Sequence, residues 1–159
     1  IRDRTGREYR LKEALSGLQG YDYIVMDTPP SLNILTINAL TASNFALIPA
    51  QADIFSVQGI TQLGQTIDAV KRYTNKNLQV LGIILTRYSN RNILSRDLQQ
   101  VIEDTAKSIH TKTYTQNIRE AIAIKEAQAL RKDIFSYDAK GNATQDYGNL
   151  FQEIWQEIQ

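Results

Sequence analysis

The segment from Tyr21 to Ser31 (YDYIVMDTPPS) constrains the fold more than any other part of the chain. Its apolar run Ile24-Val25-Met26 predicts a short buried strand that ends at Asp27. Two prolines follow, and because each lacks an N–H and has a fixed φ, the strand cannot continue past them. Thr28 precedes a proline and is therefore expected in extended geometry. The Asp27 carboxylate is thus predicted at a strand tip, where open α/β sheets bind their ligands. The alternative is that Asp27 only caps its own turn.

The rest of the chain predicts strands that alternate with amphipathic helices. Such alternation favours an α/β fold with a mainly parallel sheet and helices on both faces, in one domain over residues 1–159. Right-handed crossovers then place Asp27, Pro49, Thr86 and Thr115 along one edge of the sheet. Besides the strand at 22–27, strands are predicted at 45–49, 80–85 and 113–114, and helices at 11–18, 31–43 (capped by Ser31), 56–73, from Ser95 onward, 118–129 and 143–158.

The composition excludes several classes of protein. There is no cysteine, which excludes disulfides, thiolate zinc sites and iron–sulfur ligation within the chain, and His110 is the single histidine. A net charge of +1 gives no global argument for nucleic acid, so any basic surface must be local. No apolar run approaches the ~20 residues of a membrane span, and no signal peptide opens the chain. We therefore expect a cytoplasmic protein that does not bind membranes.

Together with Thr36–Leu40, the opening segment resembles the ParA/Soj family of partition ATPases, which are deviant-Walker P-loop NTPases of the superfamily that includes MinD. The resemblance covers residues 9–158 and implies ATP-driven partition of plasmid or chromosomal DNA. It continues in order at Leu47-Ile48-Pro49, Gln58-Gly59-Ile60, Ile83–Tyr88, Asn117, Arg119, Glu126-Ala127, Ile134–Tyr137 and Asp146-Tyr147.

One motif of the family is not found in this sequence. None of the eight glycines is followed by Lys-Ser or Lys-Thr, so there is no G-x-x-x-x-G-K-[ST] loop. In the family this loop holds the nucleotide phosphates with backbone N–H groups. The chain opens on Ile1 rather than Met, and we expect the N-terminal strand and the P-loop to lie upstream of it. As the C-terminal portion of such an ATPase, the chain alone is not expected to hydrolyse ATP.

For the intact protein, the resemblance implies a nucleotide site shared by two parts of this sequence. Asp27 is expected to be catalytic and to act on Mg²⁺ through water, the kind of ligation that Mg²⁺ prefers. Thr28 and Pro29 are expected near the γ-phosphate. The adenine side is assigned to Thr86, Arg87, Gln116 and Asn117, with the alternative that Arg87 is simply solvated. Neither ATP nor Mg²⁺ is expected bound to this fragment.

The resemblance also implies that the ATP-bound homodimer binds DNA without sequence specificity and works with a ParB-like centromere-binding partner. Phosphate contacts require Lys and Arg on one face and make binding salt-dependent. A third reading is that the fragment binds DNA without nucleotide. The candidate residues lie on late loops and helix starts: Arg87, Arg91, Arg96, Arg119, Lys125, Arg131 and Lys132.

The predicted terminal helix distinguishes partition proteins from membrane-associated relatives. Lys140 is the last basic residue, and the helix carries Asp146, Glu153 and Glu157. Helices that lie on membranes are rich in Lys or Arg, so the apolar stripe at Phe151, Ile154, Trp155 and Ile158 is interpreted as core packing. Two alternatives stay open, a non-catalytic α/β interaction module and a MinD-like membrane-associated ATPase.

Overall fold

The computed structural model describes residues 6–89 and 93–159, and the side chains of residues 96–159 in the second range. After a 3-10 turn at Arg7–Tyr9, the elements are α1 (Arg10–Leu15), α2 (Ile34–Ala42), β1 (Phe45–Ala50), α3 (Ile54–Tyr73), β2 (Gln79–Leu85), α4 (Ile93–Ser108), α5 (Ile122–Ala129), α6 (Ile134–Tyr137) and α7 (Asn142–Ile158). The described residues form two compact units. Unit 1 comprises residues 6–46 and 62–80, and unit 2 comprises residues 47–61 and 81–159. A single domain over 1–159 stays a prediction.

The predicted parallel strands are confirmed for β1 and β2. The Gln79 N–H donates to the Asn44 carbonyl (2.9 Å) in unit 1, and the Thr86 N–H donates to the Ala50 carbonyl (2.8 Å) in unit 2. Because residue numbers increase in the same direction along both strands, the pair is parallel. All of Leu81 to Leu85 is buried, as expected for a strand covered on both faces.

A third extended segment continues the parallel pairing in unit 2. The Ile83 N–H donates to the Lys112 carbonyl (2.8 Å), and the Tyr114 N–H donates to the Ile83 carbonyl (2.9 Å). Bridges at Thr113 and Arg119 are also parallel. The predicted strand at 113–114 is thus present as an isolated bridge, and this pairing delays the start of α5 from residue 118 to Ile122.

The strand predicted at residues 22–27 is wrong. These residues have no regular secondary structure, and Ile24 and Val25 are 46% and 94% exposed. A strand requires a hydrogen-bonding neighbour, because β-propensity reflects packing against adjacent strands rather than a preference of the isolated backbone. No ladder partner for this segment exists in the described residues, so the apolar run stays uncovered.

Helix α2 begins later than predicted, and its cap is Asn33 rather than Ser31. The Asn33 side chain accepts from the Leu35 N–H at 2.9 Å. Ser31 instead accepts the Asn33 side-chain N–H through its hydroxyl and the Thr36 hydroxyl through its carbonyl. Either residue type is a good N-cap, so the sequence could not choose between two positions so close together.

Buried polar side chains hold unit 1 together where α1 packs against α2. Asn38 accepts the Leu11 N–H at 3.1 Å and donates to the Arg7 and Ile34 carbonyls. Asn75, in the turn after α3, donates to the Leu40 and Ser43 carbonyls. These bonds pair side-chain amides with backbone groups of α1, α2 and the turns beside them.

The core of unit 2 joins β2, the segment beside it and α7. Leu81, Ile84, Tyr114, Ile118 and Leu150 form one buried cluster, and Ile154 and Ile158 pack against it. Core packing of the predicted stripe is therefore confirmed for Ile154 and Ile158. It is wrong for Phe151, which is 52% exposed and stacks on Trp155 with ring centroids 5.5 Å apart. No described helix combines the length and the apolar character that a membrane span needs.

Candidate functional site

The residues predicted to act on Mg²⁺ and phosphate lie in unit 1, in the irregular segment before α2. Asp27, Thr28 and Pro29 are all exposed. Within the described part of the chain, Asp27 makes no hydrogen bond or ion pair, so nothing there indicates that it caps its own turn. Its carboxylate is open to solvent and available to a hydrated cation. The described residues contain no cluster of three or more metal-binding side chains.

The adenine-side residues lie in unit 2, where β2 ends. Thr86 is held against Ala50 because both its N–H (2.8 Å) and its hydroxyl (3.2 Å) donate to the Ala50 carbonyl. Arg87 follows with a φ of 51°, in the left-handed region that non-glycine residues rarely adopt. The backbone therefore changes direction at Arg87, directly after the end of β2.

The segment that contains Gln116 and Asn117 lies beside this strand end. The Ile118 N–H donates to the Leu85 carbonyl (2.8 Å), and the Tyr88 N–H donates to the Ile118 carbonyl (3.1 Å). The structure thus brings together the four residues assigned to the adenine side. The side-chain oxygen of Asn117 is buried and has no hydrogen-bond partner among the described residues. Such an acceptor is rare in folded proteins and is a candidate for ligand contact.

Gln116 is already engaged within the protein. Its side-chain amide donates to the Asn117 carbonyl (2.8 Å) and to Asp146 (3.3 Å), and its oxygen accepts from Asn149 (3.3 Å). These bonds tie the segment to α7. Gln116 therefore orients its neighbour Asn117, and its own contact with adenine stays a prediction.

Arg119 and Asp146 form the best-connected ion pair of unit 2. The guanidinium Nε lies 2.6 Å from Oδ2 and Nη2 lies 2.8 Å from Oδ1, while the Arg119 N–H also donates to Oδ2 at 3.2 Å. The Asp146 side chain is 5% exposed and that of Arg119 is 49% exposed. Burial alone would raise the pKa of Asp146, but the bonds from Arg119 outweigh it and lower that pKa below its usual value. The bidentate geometry fixes the plane of the guanidinium while leaving one face accessible.

A second charge cluster surrounds Glu120. Its carboxylate accepts from Arg87 at 3.1 Å and from Lys125 at 2.9 Å. Hydrogen bonding to Lys125 first, and to Arg87 second, lowers the pKa of Glu120. With Thr86, Tyr147 and parts of α5, these residues line an open cavity of about 320 Å³. Two of the predicted DNA-binding cations are thus held together by one carboxylate.

The other predicted DNA-binding residues are more scattered. Arg96 is exposed on α4, and Arg131 and Lys132 are exposed just after α5. Arg131 has a φ of 54°, which ends the helix as a left-handed residue. Arg91 lies outside the described residues.

Sequence reasoning missed Glu120 and the role of Asp146. Both act across long stretches of sequence, Asp146 on Arg119 and Glu120 on Arg87. A local pattern cannot reveal such pairs. The acidic Glu120, directly after Arg119, could have indicated an ion pair in a segment where only basic residues were considered as DNA contacts.

Comparisons with known proteins identify the family. Residues 1–80 match the family model described as an AAA domain. The chain is 37% identical over 151 residues to the chromosome partitioning protein ParA of Caulobacter vibrioides, which covers 93% of this chain and 55% of that protein. The chain belongs to the ParA/Soj family. It spans about half the length of this relative.

Solved structures show the fold of this chain. A cobyrinic acid a,c-diamide synthase from Mycobacterium smegmatis, with bound ATP analog and magnesium, is 37% identical with a TM-score of 0.66, over 74% of this chain and 46% of that one. Apo McdA from Cyanothece is 19% identical with a TM-score of 0.81, over 93% of this chain and 59% of that one. At that identity McdA shows the fold alone. The predicted α/β fold of ParA- and MinD-type P-loop NTPases is confirmed.

Proposed function

We propose that this chain is the part of a ParA-type ATPase that carries the Asp27 carboxylate and the adenine side of the nucleotide site, in a protein that partitions plasmid or chromosomal DNA. A ParA relative at 37% identity supports the partition role. The observation that carries the proposal is the strand edge of unit 2, where Thr86 follows the last residue of β2 and Asn117 lies in the adjacent parallel segment. Open α/β sheets bind nucleotides at this kind of edge.

The buried oxygen of Asn117 supports recognition of adenine. An unsatisfied buried acceptor costs about 1–3 kcal/mol, and a donor such as the exocyclic amino group of adenine would remove that cost. Thr86 and Arg87 complete the edge, and Gln116 holds Asn117 in place through its backbone carbonyl. The residues present therefore fit the base of ATP.

Asp27 supports the metal side of the same proposal. Its exposed and unpaired carboxylate can hold one water of a hydrated Mg²⁺, and Thr28 and Pro29 fix the direction of the chain behind it. When bound, Mg²⁺ neutralises charge that develops on the phosphates. This chain would contribute the Asp27 carboxylate, which would accept a hydrogen bond from a water of the hydrated Mg²⁺. No other described residue competes for that carboxylate.

DNA binding by the ATP-bound homodimer is the second half of the proposal. Exposed cations on late loops and α5 can neutralise backbone phosphates without reading bases. Arg87 and Lys125 share one carboxylate, Arg119 keeps about half of its side chain accessible, and Arg131 is exposed at the end of α5. Together with Arg91, Arg96 and Lys132, they remain our proposed contacts. A ParB-like partner and a cytoplasmic location complete the proposal.

Retention on DNA tests this function. In a protein that carries this chain together with a phosphate-binding loop, we expect retention of non-specific duplex DNA to require ATP and to fall as salt rises. The double variant Lys125→Gln/Arg131→Gln should weaken retention, while Lys107→Gln/Lys140→Gln, with the same change in net charge, should not. DNA retention that ignores ATP would contradict the proposal and favour DNA binding by the chain without nucleotide.

Calorimetric titration with ATP separates the enzyme from a non-catalytic interaction module. We expect the 159-residue chain alone to show no micromolar ATP binding, since no phosphate-binding loop occurs in its sequence. The longer protein should bind ATP at micromolar concentration. If neither binds, the interaction module is the better account.

The structure of α7 bears on the MinD-like alternative. Asp146 is paired with Arg119, Glu157 is paired with Lys112 at 2.7 Å, and Leu150 is buried. A helix committed to its own core in this way leaves Tyr147 and Phe151, 36% and 52% exposed, as the large hydrophobic side chains that the described helix could offer to a bilayer. We therefore favour partition, and co-sedimentation with anionic vesicles would support the membrane alternative instead.

A further inference from the structure

Unit 1 contains a basic cavity that plays no part in the proposed nucleotide site. The cavity measures about 340 Å³ and lies where α3 ends and turns toward β2. Four of its lining residues are cationic, namely Lys12 from α1, Lys71 and Arg72 from the last turn of α3, and Lys76 from the turn. None of the described residues that line it is acidic.

These four cations are unpaired within the described part of the chain. Among residues 6–89 and 96–159, none of the four makes an ion pair, although Glu13 adjoins Lys12 in sequence and Asp68 lies one turn before Lys71. The guanidinium carbon of Arg72 lies 5.5 Å from the centroid of the Tyr73 ring. Like charges that share a cavity repel one another, so an anion placed there would lower the free energy of the site.

The end of α3 explains only part of this arrangement. A helix C-terminus carries about half a negative charge, which favours Lys71 and Arg72 in the last turn. Lys12 and Lys76 lie outside α3, and the dipole fades within one turn, so it does not account for them. Their convergence with the other two is a separate feature of the fold.

The turn that forms the floor of the cavity is rigid. The Thr74 hydroxyl lies 2.9 Å from that of Thr41, and the N–H groups of Thr74 and Asn75 both donate to the Val70 carbonyl. Asn75 is fixed further by its two bonds to the end of α2, at 2.7 and 3.0 Å. A cationic pocket on a fixed backbone binds an anion with little loss of conformational entropy.

We propose that this cavity binds a phosphate-bearing anion. Several cations around one small space suit phosphate groups, each of which brings more charge and more acceptor oxygens than a carboxylate. The planar guanidinium of Arg72 adds a donor fork that matches phosphate geometry. The phosphates can belong to a nucleic-acid backbone or to a free polyphosphate, and both sources share this chemistry.

Two double variants with equal changes in net charge test the proposal. Lys71→Gln/Lys76→Gln removes two cavity charges, while Lys107→Gln/Lys140→Gln removes two exposed charges of unit 2. We expect calorimetry with tripolyphosphate to show at least about a tenfold loss of affinity for the first and less than about a twofold change for the second, since one charge-assisted bond accounts for a factor of that size. Melting temperatures equal to that of the wild type confirm that both double variants are folded. If Lys71→Gln/Lys76→Gln does not fold, the single variant Lys76→Gln replaces it in the titration.

Duplex DNA and a glutamate-rich peptide identify the source of the anion. If the cavity binds a nucleic-acid backbone, the slope of log affinity against log salt should fall by about two in the cavity variant. An unchanged slope with lost tripolyphosphate binding identifies a free polyphosphate. Three results would each overturn the proposal. The wild-type protein does not bind tripolyphosphate, the two double variants bind it equally well, or the wild-type protein prefers the glutamate-rich peptide. DNA retention can fail in the test of partition while tripolyphosphate binding persists. ATP binding by the 159-residue chain that Lys71→Gln/Lys76→Gln abolishes belongs to this cavity and not to the nucleotide site, so the two proposals are separable.

Discussion

Replacing Gly82 in the middle of β2 by alanine probes the packing that holds the nucleotide-side segment against the sheet. A Cβ at this position would lie 2.7 Å from Cε2 and 3.0 Å from Cδ2 of Tyr114, and 3.1 Å from the Lys112 carbonyl oxygen. Neither neighbour can easily move. Tyr114 is 4% exposed within the core cluster, and the Lys112 carbonyl accepts the Ile83 N–H.

The magnitude follows from two opposing effects. Overpacking of a core costs about 1–3 kcal/mol, whereas replacing glycine by alanine restricts the unfolded chain and returns about 0.4–1 kcal/mol. The net loss in the free energy of unfolding therefore lies between about 0 and 2.6 kcal/mol, with a middle value of about 1.3 kcal/mol. For a chain of this size each kcal/mol lowers the melting temperature by roughly 2–4 °C.

Thermal and urea denaturation followed by circular dichroism measure this loss. Gly148→Ala in α7 is the matched control, because its Cβ would meet no atom within 4 Å. It should stabilise the protein by roughly 0.5–1 kcal/mol. On a Tyr114→Leu background the cost of Gly82→Ala should largely vanish, since the double-mutant cycle isolates the contact. Melting of Gly82→Ala at or above the wild-type temperature would refute the reasoning.

Three further predictions concern charges and caps. The pKa of Asp146 is lower in the folded than in the unfolded chain. Its contribution to the free energy of unfolding is therefore fully present above its pKa in the unfolded chain, about 3.9, and is lost as pH falls through its pKa in the folded chain. Melting between pH 7 and pH 3 should thus decline more in wild type than in Asp146→Asn, and parallel declines would contradict the pairing. Glu120→Gln removes the carboxylate that pairs with Arg87 and Lys125, so the affinity for duplex DNA at low salt should rise about two- to fivefold. An unchanged affinity would contradict this prediction. Asn33→Ala should cost about 1 kcal/mol in urea denaturation, more than Ser31→Ala, if Asn33 is the cap of α2.

The sequence was most informative where periodicity and burial agree. Strand β2 and helices α3 and α7 begin within two residues of their predicted positions. The continuous apolar run of β2 is short enough to indicate a strand, and the 3.6-residue repeats of α3 and α7 are long enough to indicate helices. The prediction failed at residues 22–27, where an equally apolar run forms no strand. Its residues carry the right propensity, but a strand exists only when a neighbour supplies the ladder.

The sequence allowed us to predict which residues lie at the candidate site, but not which ion pairs and hydrogen bonds join them. Thr86 and Thr115 were expected on one edge because parallel segments end together, whereas Asn117 was assigned by the family resemblance. The structure places Thr86 and Asn117 on adjacent segments. The pairing of Arg119 with Asp146 links residues 27 positions apart and depends on how α7 packs. Local sequence patterns carry no information about such a contact, so the charges that restrain the proposed DNA-binding residues emerged only from the fold.

ATP turnover by Asp27→Ala, in a protein that joins this chain to a phosphate-binding loop, tests the central claim most directly. Asp27 is exposed and makes no bond with other described residues, so its removal should change the free energy of unfolding by less than about 0.5 kcal/mol. Loss of a charge that positions the metal's water should lower turnover about a hundredfold or more. The account predicts lost turnover at an unchanged melting temperature. Turnover within twofold of wild type, or a melting temperature that collapses together with activity, would contradict it.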